Sequence, residues 1–335
     1  MAANSPPGRT PYGIDSGADS PYRGVWKMSR RQQEEWLRRS KTWDGLDPSI
    51  WKAKKIIGMG ANGLAGLWEY QGADPNMPKR MVIKQGRDDD GMGWESRFLK
   101  ALAITESNHF VKLYKANHHV GGSGTSRKFD PIPCHRNGNW YDPCLEVNHL
   151  YLEFCENSDL QAYNEKWRDA RKVDMYPPEE FIWRIFGCLA KAILVLEKGS
   201  EDLDIPNPNW FYPNGIAHLY IKEPNILVGE PDAMEHSRFN ICKLADFGLA
   251  LPVPEARYVR GIHWKLASQW RATEGYLPPE QRYPEHPNRL ISHQTNVWAV
   301  DATMHHLLSG RHVEHLKFDY RLTHPITSVE TTLIV

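Results

Sequence analysis

The chain has 335 residues, with 41 basic (Lys and Arg) and 41 acidic residues, so its formal net charge is zero. This balance indicates neither a nucleic-acid partner nor an anionic membrane surface, and the length is sufficient for two packed lobes with a sizeable core. The five cysteines are scattered and odd in number, and the first residues carry no secretory signal pattern, so we expect reduced thiols and an intracellular protein, cytoplasmic or nuclear.

The N-terminal region predicts little packed structure. Residues 1–24 are rich in Pro, Gly and Ser, which is typical of a flexible tail. Residues 28–40 have a helical pattern with a mostly solvated surface. We therefore predict that residues 1–50 form a flexible tail with one short helix. We interpret this helix as an ordinary flanking helix, with partner binding as the alternative.

The next part of the chain alternates between strand and helix patterns. Residues 52–116 predict strand, glycine turn, strand, turn, strand, helix and strand. Residues 117–148 are polar and rich in Gly and Pro, which indicates a surface insertion, and an apolar strand follows it. The apolar stretch 181–196 contains two charged residues and is short for a bilayer, so we read it as a buried helix and expect no membrane insertion. A further helix is predicted near 294–308.

Several motifs along this pattern suit phosphate and metal chemistry. A GxGxxG sequence at 58–63 lies between two strand-like runs, where glycine lets the backbone approach phosphates; alone it reads equally well as a hairpin turn. A strand ending in Lys84 follows, and Glu95 begins a helical run eleven residues later. Asp246 opens an Asp-Phe-Gly sequence 21 residues after Asn225, directly behind an apolar strand.

Residues 218–225, HLYIKEPN, resemble the catalytic loop His-Arg-Asp-x-Lys-x-x-Asn of eukaryotic protein kinases, and the Lys of this loop is typical of the Ser/Thr type. Residues 273–280, TEGYLPPE, resemble the end of the activation segment of the same family. Together with the motifs above, the resemblance spans about residues 52–310. It includes a substrate-facing loop, which favours a protein kinase over a small-molecule phosphotransferase.

The resemblance implies an α+β fold with two lobes, a small antiparallel β-sheet lobe and a mainly α-helical lobe. The small lobe is expected at 52–152, with the insertion 117–148 inside it. The large lobe is expected at 156–335, so that the kinase-like domain covers 52–335. Because the chain ends shortly after the helix near 294–308, we expect a large lobe that is short at its C-terminus.

The resemblance also implies Mg-ATP as ligand. Lys84 would contact the α- and β-phosphates and be held by Glu95, and Asn225 and Asp246 would bind Mg²⁺. The backbone at 153–155 would hydrogen-bond adenine. The complete set of ATP-binding candidates is Gly58, Gly60, Gly63, Ala65, Val82, Lys84, Glu95, Glu153, Cys155 and Leu227.

One residue of the loop departs from the family pattern at the catalytic position. Tyr220 stands in the position of the catalytic Asp, which accepts the proton of the substrate hydroxyl. A phenol keeps its proton at neutral pH, and its ring intrudes on the place of that hydroxyl. Lys222 would still approach the γ-phosphate, but Thr273, which normally bridges the Asp and this Lys, loses half of its bridge.

The sequence therefore predicts a pseudokinase, an ATP-binding interaction module for an unidentified protein partner, in which Ser/Thr phosphotransfer is weak or absent. General-base catalysis contributes ~10²–10⁴-fold. The alternative is an active Ser/Thr protein kinase that transfers the γ-phosphate of ATP to protein hydroxyls. Positioning and charge neutralisation dominate phosphoryl transfer and support this alternative.

Further departures concern the support of the loop and its regulation. Leu219 replaces an Arg that pairs with a phosphorylated activation loop in many kinases, so switching by such phosphorylation is not expected. Asn296 replaces an Asp that accepts backbone amides, and its amide oxygen is expected to substitute only partly. Asp301 replaces a Gly and adds a charge to a helix that is usually buried. Glu280 is expected to lack its usual Arg partner.

A non-enzymatic zinc module is a third interpretation. Histidine and cysteine side chains are zinc ligands, although their spacing in this region matches no compact pair-and-pair pattern. The candidates are His118, His119, Cys134, His135, Cys144 and His149.

Overall fold

The computed structural model describes residues 29–43, 46–60, 63–85, 89–118, 135–136, 139–140, 147–171, 178–231, 236, 239–269, 271–282, 290–313, 319–323 and 330–334. The helices in these ranges are α1 (Arg30–Arg39), α2 (Asp89–Ala103), α3 (Leu160–Arg171), α4 (Glu179–Lys198), α5 (Ala256–Val259), α6 (Ile262–Ser268), α7 (Pro279–Arg282) and α8 (Thr295–Ser309). The strands are β1 (Trp51–Gly60), β2 (Gly63–Tyr70), β3 (Arg80–Gln85), β4 (Leu113–His118), β5 (His135–Arg136), β6 (Asn139–Trp140), β7 (Val147–Glu153), β8 (Ile216–Ala217), β9 (Ile226–Pro231), β10 (Asn240–Leu244), β11 (Leu251–Pro252), β12 (Asp319–Thr323) and β13 (Glu330–Ile334).

The chain divides into two compact units. Unit 1 takes in the described residues of 1–103 and 112–154, and unit 2 those of 104–111 and 155–335. Unit 1 is built on a five-stranded antiparallel sheet in the order β1-β2-β3-β7-β4. Unit 2 contains six of the eight described helices and only two-stranded sheets. The α+β fold class expected from the sequence is confirmed.

The core of unit 1 includes a residue that precedes the sheet. Leu46 and Trp51 belong to one buried cluster with Trp68, Met81, Ile83 and Tyr151, and residues of α1 pack against it. The ring of Trp36 lies edge-on to that of Trp68, with centroids 5.6 Å apart. Large aromatic rings remove much apolar surface from water. Packed structure therefore begins before residue 52, while the predicted tail at 1–24 lies outside the described residues.

The helix α1 begins with a capping box. The hydroxyl of Ser29 accepts a hydrogen bond from the backbone N–H of Gln32, and the Gln32 side chain accepts one from the backbone N–H of Ser29. This reciprocal capping box satisfies two backbone donors at the helix start. It fixes the direction in which Trp36 and Leu37 approach the sheet.

Unit 2 is organised around α4. Its buried residues recur at intervals of one, three and four, which defines one apolar face: Ile185, Cys188, Leu189, Ala192, Val195 and Leu196. The helix ends at Gly199, whose φ of 71° lies in the left-handed region that favours glycine at this position. None of the described helices combines the length and the apolar character that crossing a bilayer requires. Most of the predicted insertion 117–148 lies outside the described residues.

Two glycines give a matched test of this packing. A Cβ at Gly66 would meet ring atoms of Trp68 at 2.7 Å and of Trp36 at 2.8 Å, whereas a Cβ at Gly187 on α4 would meet nothing within 4 Å. We expect Gly66→Ala to lower the free energy of unfolding by about 1–3 kcal/mol through overpacking. We expect Gly187→Ala to raise it by about 0.5–1 kcal/mol through helix propensity. Urea unfolding followed by tryptophan fluorescence measures both; an unchanged Gly66→Ala midpoint would contradict the packing of α1 on the sheet.

Candidate active site

Three neighbouring strands of unit 1 place the glycine hairpin beside Lys84. The β1–β2 hairpin pairs Gly60 with Gly63 and Gly58 with Ala65, and Ala65 in turn pairs with Lys84 on β3. Gly63 has a φ of 140°, which only glycine adopts without strain. Antiparallel pairing puts paired residues on the same face of a sheet. The glycine hairpin and Lys84 therefore lie side by side on neighbouring strands of one sheet.

An ion pair joins Lys84 to the helix behind the sheet. The Nζ atom of Lys84 donates to Oε2 of Glu95 at 2.7 Å, and these side chains are 14% and 2% exposed. Glu95 lies on α2, whose apolar residues Phe98 and Leu99 are buried on the same side of the helix. Low dielectric surroundings strengthen such a charge-assisted bond, and the same burial makes either charge costly without its partner.

In unit 2, the loop 218–225 is held by Asn296 at the start of α8. The backbone N–H of His218 donates to Oδ1 of Asn296 at 2.8 Å, and Nδ2 of Asn296 donates to the carbonyl of Ile216 at 2.8 Å. The amide thus accepts one backbone bond and donates another, which a carboxylate could not do. Asn296 is 1% exposed, so both bonds are shielded from water.

His218 is a packing residue in this loop. Its ring lies 4.5 Å from the ring of Phe247, centroid to centroid, and its Nδ1 accepts from the backbone N–H of Tyr220 at 3.2 Å. Burial lowers the pKa of His218 to about 4, and the nearby charge of Asp246 opposes this shift only in part. The imidazole is therefore neutral at physiological pH and links the loop to the Asp-Phe-Gly segment.

The side chains that follow surround the phenol of Tyr220. The Nζ atom of Lys222 lies 4.2 Å from the centroid of the Tyr220 ring, a cation–π contact, and donates to Oγ1 of Thr273 at 2.9 Å. The Nδ2 atom of Asn225 donates to the carbonyl of Tyr220 at 2.7 Å. This bond turns the amide so that Oδ1 is its atom available to a cation. The lysine–threonine contact is present although the carboxylate it normally includes is replaced by a ring.

Two residues of this region have strained backbones. Leu219 and Asp246 both have a φ of 60°, in the left-handed region that non-glycine residues rarely adopt. Each such residue costs about 1–3 kcal/mol, and such residues cluster at functional sites. The backbone N–H of Ala245 donates to the carbonyl of Asn225 at 2.9 Å, so the two expected metal ligands, Asn225 and Asp246, lie on segments bonded to each other.

A buried polar group that the sequence did not predict includes Glu223 of this loop. The hydroxyl of Tyr276 donates to the carboxylate of Glu223, whose other oxygen lies 2.7 Å from Nδ1 of His306. Burial raises the pKa of Tyr276, and the Glu223 carboxylate raises it further. Glu223 follows Lys222 in the chain, so the group fixes the segment that carries this lysine. The one sign of this group is that a Glu of the loop is buried, which the sequence alone does not show.

The remaining candidates fall within one unit each. Val82 pairs with Leu152 in the sheet of unit 1, and the N–H of Glu153 donates to the carbonyl of Lys112 at 2.9 Å. In unit 2, Cys155 is 6% exposed and Leu227 lies on β9. Their adenine-contacting roles stay predictions.

Two expected departures have a definite structural outcome. Glu280 was expected to lack its usual Arg partner. In the structure it accepts a hydrogen bond from Oγ1 of Thr295 at 2.8 Å. Asp301 lies on the exposed side of α8, so its charge is solvated.

The fold and these motifs define a class of protein kinase-like chains, and comparison with known proteins supports this class. The chain is 25% identical over 193 residues to the G2-specific protein kinase nim-1 of Neurospora crassa, covering 53% of this chain and 19% of that protein. It is 25% identical over 174 residues to the G2-specific protein kinase nimA of Emericella nidulans, covering 48% and 21%. The chain thus spans about a fifth of the length of these relatives.

The crystal structure of the BubR1 kinase domain is similar at a TM-score of 0.48 and 16% identity, covering 84% of this chain and 67% of that chain. No protein-family model matches the chain. The sequence relatives, together with the motifs placed above, put this chain among the eukaryotic protein kinase-like proteins, with Ser/Thr kinases as its relatives.

The buried ion pair predicts a specific pattern of stability changes. We expect Glu95→Ala to lower the free energy of unfolding by about 3–5 kcal/mol, because it leaves the Lys84 ammonium buried without this carboxylate. The double variant Lys84→Met/Glu95→Leu is expected to recover most of this loss, since apolar side chains replace both charges. Urea unfolding measures all variants.

Glu34→Ala provides the control, because Glu34 makes an exposed pair with Arg30 on α1 and such pairs contribute little. Equal losses of unfolding free energy in Glu34→Ala and Glu95→Ala would show that the buried Lys84–Glu95 pair contributes no more to stability than an exposed pair.

Proposed function

We propose that this chain is a Mg-ATP-binding pseudokinase, an interaction module in which Ser/Thr phosphotransfer is weak or absent. The observation that carries the proposal is the state of the loop 218–225. Its lysine and asparagine keep ordered contacts, while an aromatic ring that cannot accept a proton stands at the catalytic position. The partner of the module would be a protein.

The residues available for nucleotide suit that ligand. In unit 1, the glycine hairpin offers close backbone approach and Lys84 is held by a buried carboxylate, which is the arrangement that phosphate contact needs. In unit 2, the oxygens of Asn225 and Asp246 are ligands of the kind Mg²⁺ prefers. When bound, Mg²⁺ would neutralise phosphate charge. Lys84, Asn225 and Asp246 would serve to hold and orient the nucleotide.

Tyr220 is the reason to expect inefficient transfer. A general base must lie within hydrogen-bond reach of the proton it takes. The Tyr220 ring is instead engaged by the Lys222 ammonium at 4.2 Å, and the same ammonium donates to Thr273. The lysine is thereby drawn toward the ring and the hydroxyl. The tyrosine therefore replaces the proton acceptor and also engages Lys222, the lysine that would approach the γ-phosphate.

Nucleotide binding predicts a thermal shift that depends on Lys84. We expect Mg-ATP to raise the melting temperature of the unsubstituted chain, because a ligand that binds only the folded state stabilises it. Lys84→Met should abolish the shift, since it removes the phosphate contact. The quantity compared is the shift with and without nucleotide for each variant, so a change in basal stability does not affect the result.

Lys52→Met is the matched control, because Lys52 is an exposed lysine on β1. It should leave the nucleotide shift intact. An unchanged shift in Lys84→Met would place the nucleotide elsewhere or show that Lys84 is dispensable.

The proposal predicts that Tyr220→Asp gains phosphotransfer activity. With γ-labelled Mg-ATP and a generic Ser/Thr protein substrate, we expect transfer by Tyr220→Asp to exceed that of the unsubstituted chain by ~10²-fold or more, because the variant restores a proton acceptor. Adding Asp246→Asn to Tyr220→Asp should remove the gained activity and exclude a contaminating kinase. Equal transfer by the unsubstituted chain and Tyr220→Asp, lost in Asp246→Asn, would instead establish an active kinase that tolerates the tyrosine.

A further inference from the structure

A compact group of sulfur and nitrogen ligand atoms lies inside unit 2, apart from the loop 218–225. The ligand atoms of His109, Cys188 and His236 all lie within 4.8 Å of one another, and all three residues are buried. His109 precedes β4, Cys188 is on the buried face of α4, and His236 belongs to the connection between β9 and β10. Segments far apart in sequence thus converge on one point.

The distances suit a tetrahedral ion. Zinc binds cysteine sulfur at about 2.3 Å and histidine nitrogen at about 2.0 Å in tetrahedral sites, which separates neighbouring S and N ligands by about 3.5 Å. The Sγ atom of Cys188 lies 3.9 Å from Nε2 of His236. Binding would draw the three atoms, which lie within 4.8 Å of one another, to this spacing.

Cys242, a neighbour of Cys188, is the candidate for a fourth ligand. It lies on β10, is 2% exposed, and forms a hydrogen bond with Cys188. The thiolate is the form that binds metal, so both thiols would release their protons on metal binding.

The surroundings of His109 include a carboxylate. Oε1 of Glu201 lies 3.8 Å from Nε2 of His109 and accepts a hydrogen bond from Oγ of Ser107 at 2.6 Å. The other oxygen of Glu201 lies 3.2 Å from Nζ of Lys191. Metal-binding histidines commonly direct their second ring nitrogen at a carboxylate that fixes the ring. Glu201 lies near the His109 ring but, at 3.8 Å, beyond hydrogen-bond distance.

We propose that His109, Cys188, His236 and Cys242 form a structural Zn²⁺ site in unit 2. Two sulfur and two nitrogen ligands are the set found in many structural zinc sites, and their exposures of 0%, 1%, 8% and 2% would leave no position open to substrate. The ion would tie α4 to β10 and to two loops. The site is independent of nucleotide binding and differs from the zinc module suggested by the sequence.

The described part of that alternative module supports this distinction. His149 is 8% exposed and stacks on Trp43, with ring centroids 4.1 Å apart, and burial lowers its pKa to about 4. The side chains of the other five candidates lie outside the described residues. His149 thus has an aromatic environment in unit 1, whereas the four proposed ligands lie together in unit 2.

The test is the zinc content of the full chain, produced with a tag that lacks histidine, in zinc-supplemented medium and without metal-affinity steps. Elemental mass spectrometry should give about one zinc per chain. His236→Ala should reduce the content to near zero, whereas His236→Cys, which keeps a ligand, should retain it. Cys144→Ser, which removes a candidate of the alternative module, should have no effect. Near-zero zinc in the unsubstituted chain would overturn the proposal.

A second measurement needs no substitution and so does not depend on the folding of a variant. Replacement of the ion by Co²⁺ should give the visible absorption of a tetrahedral site with sulfur-to-cobalt charge transfer, and X-ray absorption should count two sulfur and two nitrogen ligands. A spectrum without sulfur ligands would overturn the assignment. Zinc lost in Cys144→Ser and retained in His236→Ala would overturn it as well and move the site to the insertion 117–148.

Discussion

The arrangement of the candidate site in unit 2 depends on the two hydrogen bonds of Asn296. This side chain accepts from the backbone of His218 and donates to that of Ile216, at 2.8 Å each, from the first turn of α8. His218 then contacts Phe247 and accepts from the backbone of Tyr220. The loop and the Asp-Phe-Gly segment are thus positioned from one buried amide. A carboxylate there would accept from the His218 N–H but would repel the Ile216 carbonyl, so the local backbone and the residue type fit each other.

This support explains how the loop tolerates a tyrosine at position 220. The catalytic function of that position is separate from its structural one, because the backbone of Tyr220, not its side chain, bonds His218 and Asn225. The phenol ring adds a contact with Lys222 that an aspartate would make as an ion pair. The substitution therefore preserves the geometry around Asn225 while it removes the proton acceptor. The proposed loss of phosphotransfer is therefore compatible with an intact scaffold.

Much of this organisation was predictable from the sequence, and the exceptions have a common cause. Alternating apolar residues and glycines predict the β1–β2 hairpin, and periodicity predicts α4 and α8. The proximity of Lys84 and Glu95 followed from a resemblance to a known family. Missed were the packing of Trp36 onto the sheet, the pairing of Tyr276 with Glu223 and the meeting of His109 with Cys188. These contacts join residues 32, 53 and 79 positions apart, and no local pattern encodes which distant side chains will meet.

The two strained residues help to explain why this region keeps its shape with a tyrosine at position 220. Leu219 and Asp246 hold left-handed conformations at a cost of about 1–3 kcal/mol each. Such a cost persists only where the surroundings fix the backbone, and here the buried His218, Phe247 and Asn296 do so. If only stability mattered, relaxing either residue would be favourable. The strained Asp246 adjoins a segment that is bonded to Asn225, and under the proposed function both side chains would serve a bound cation.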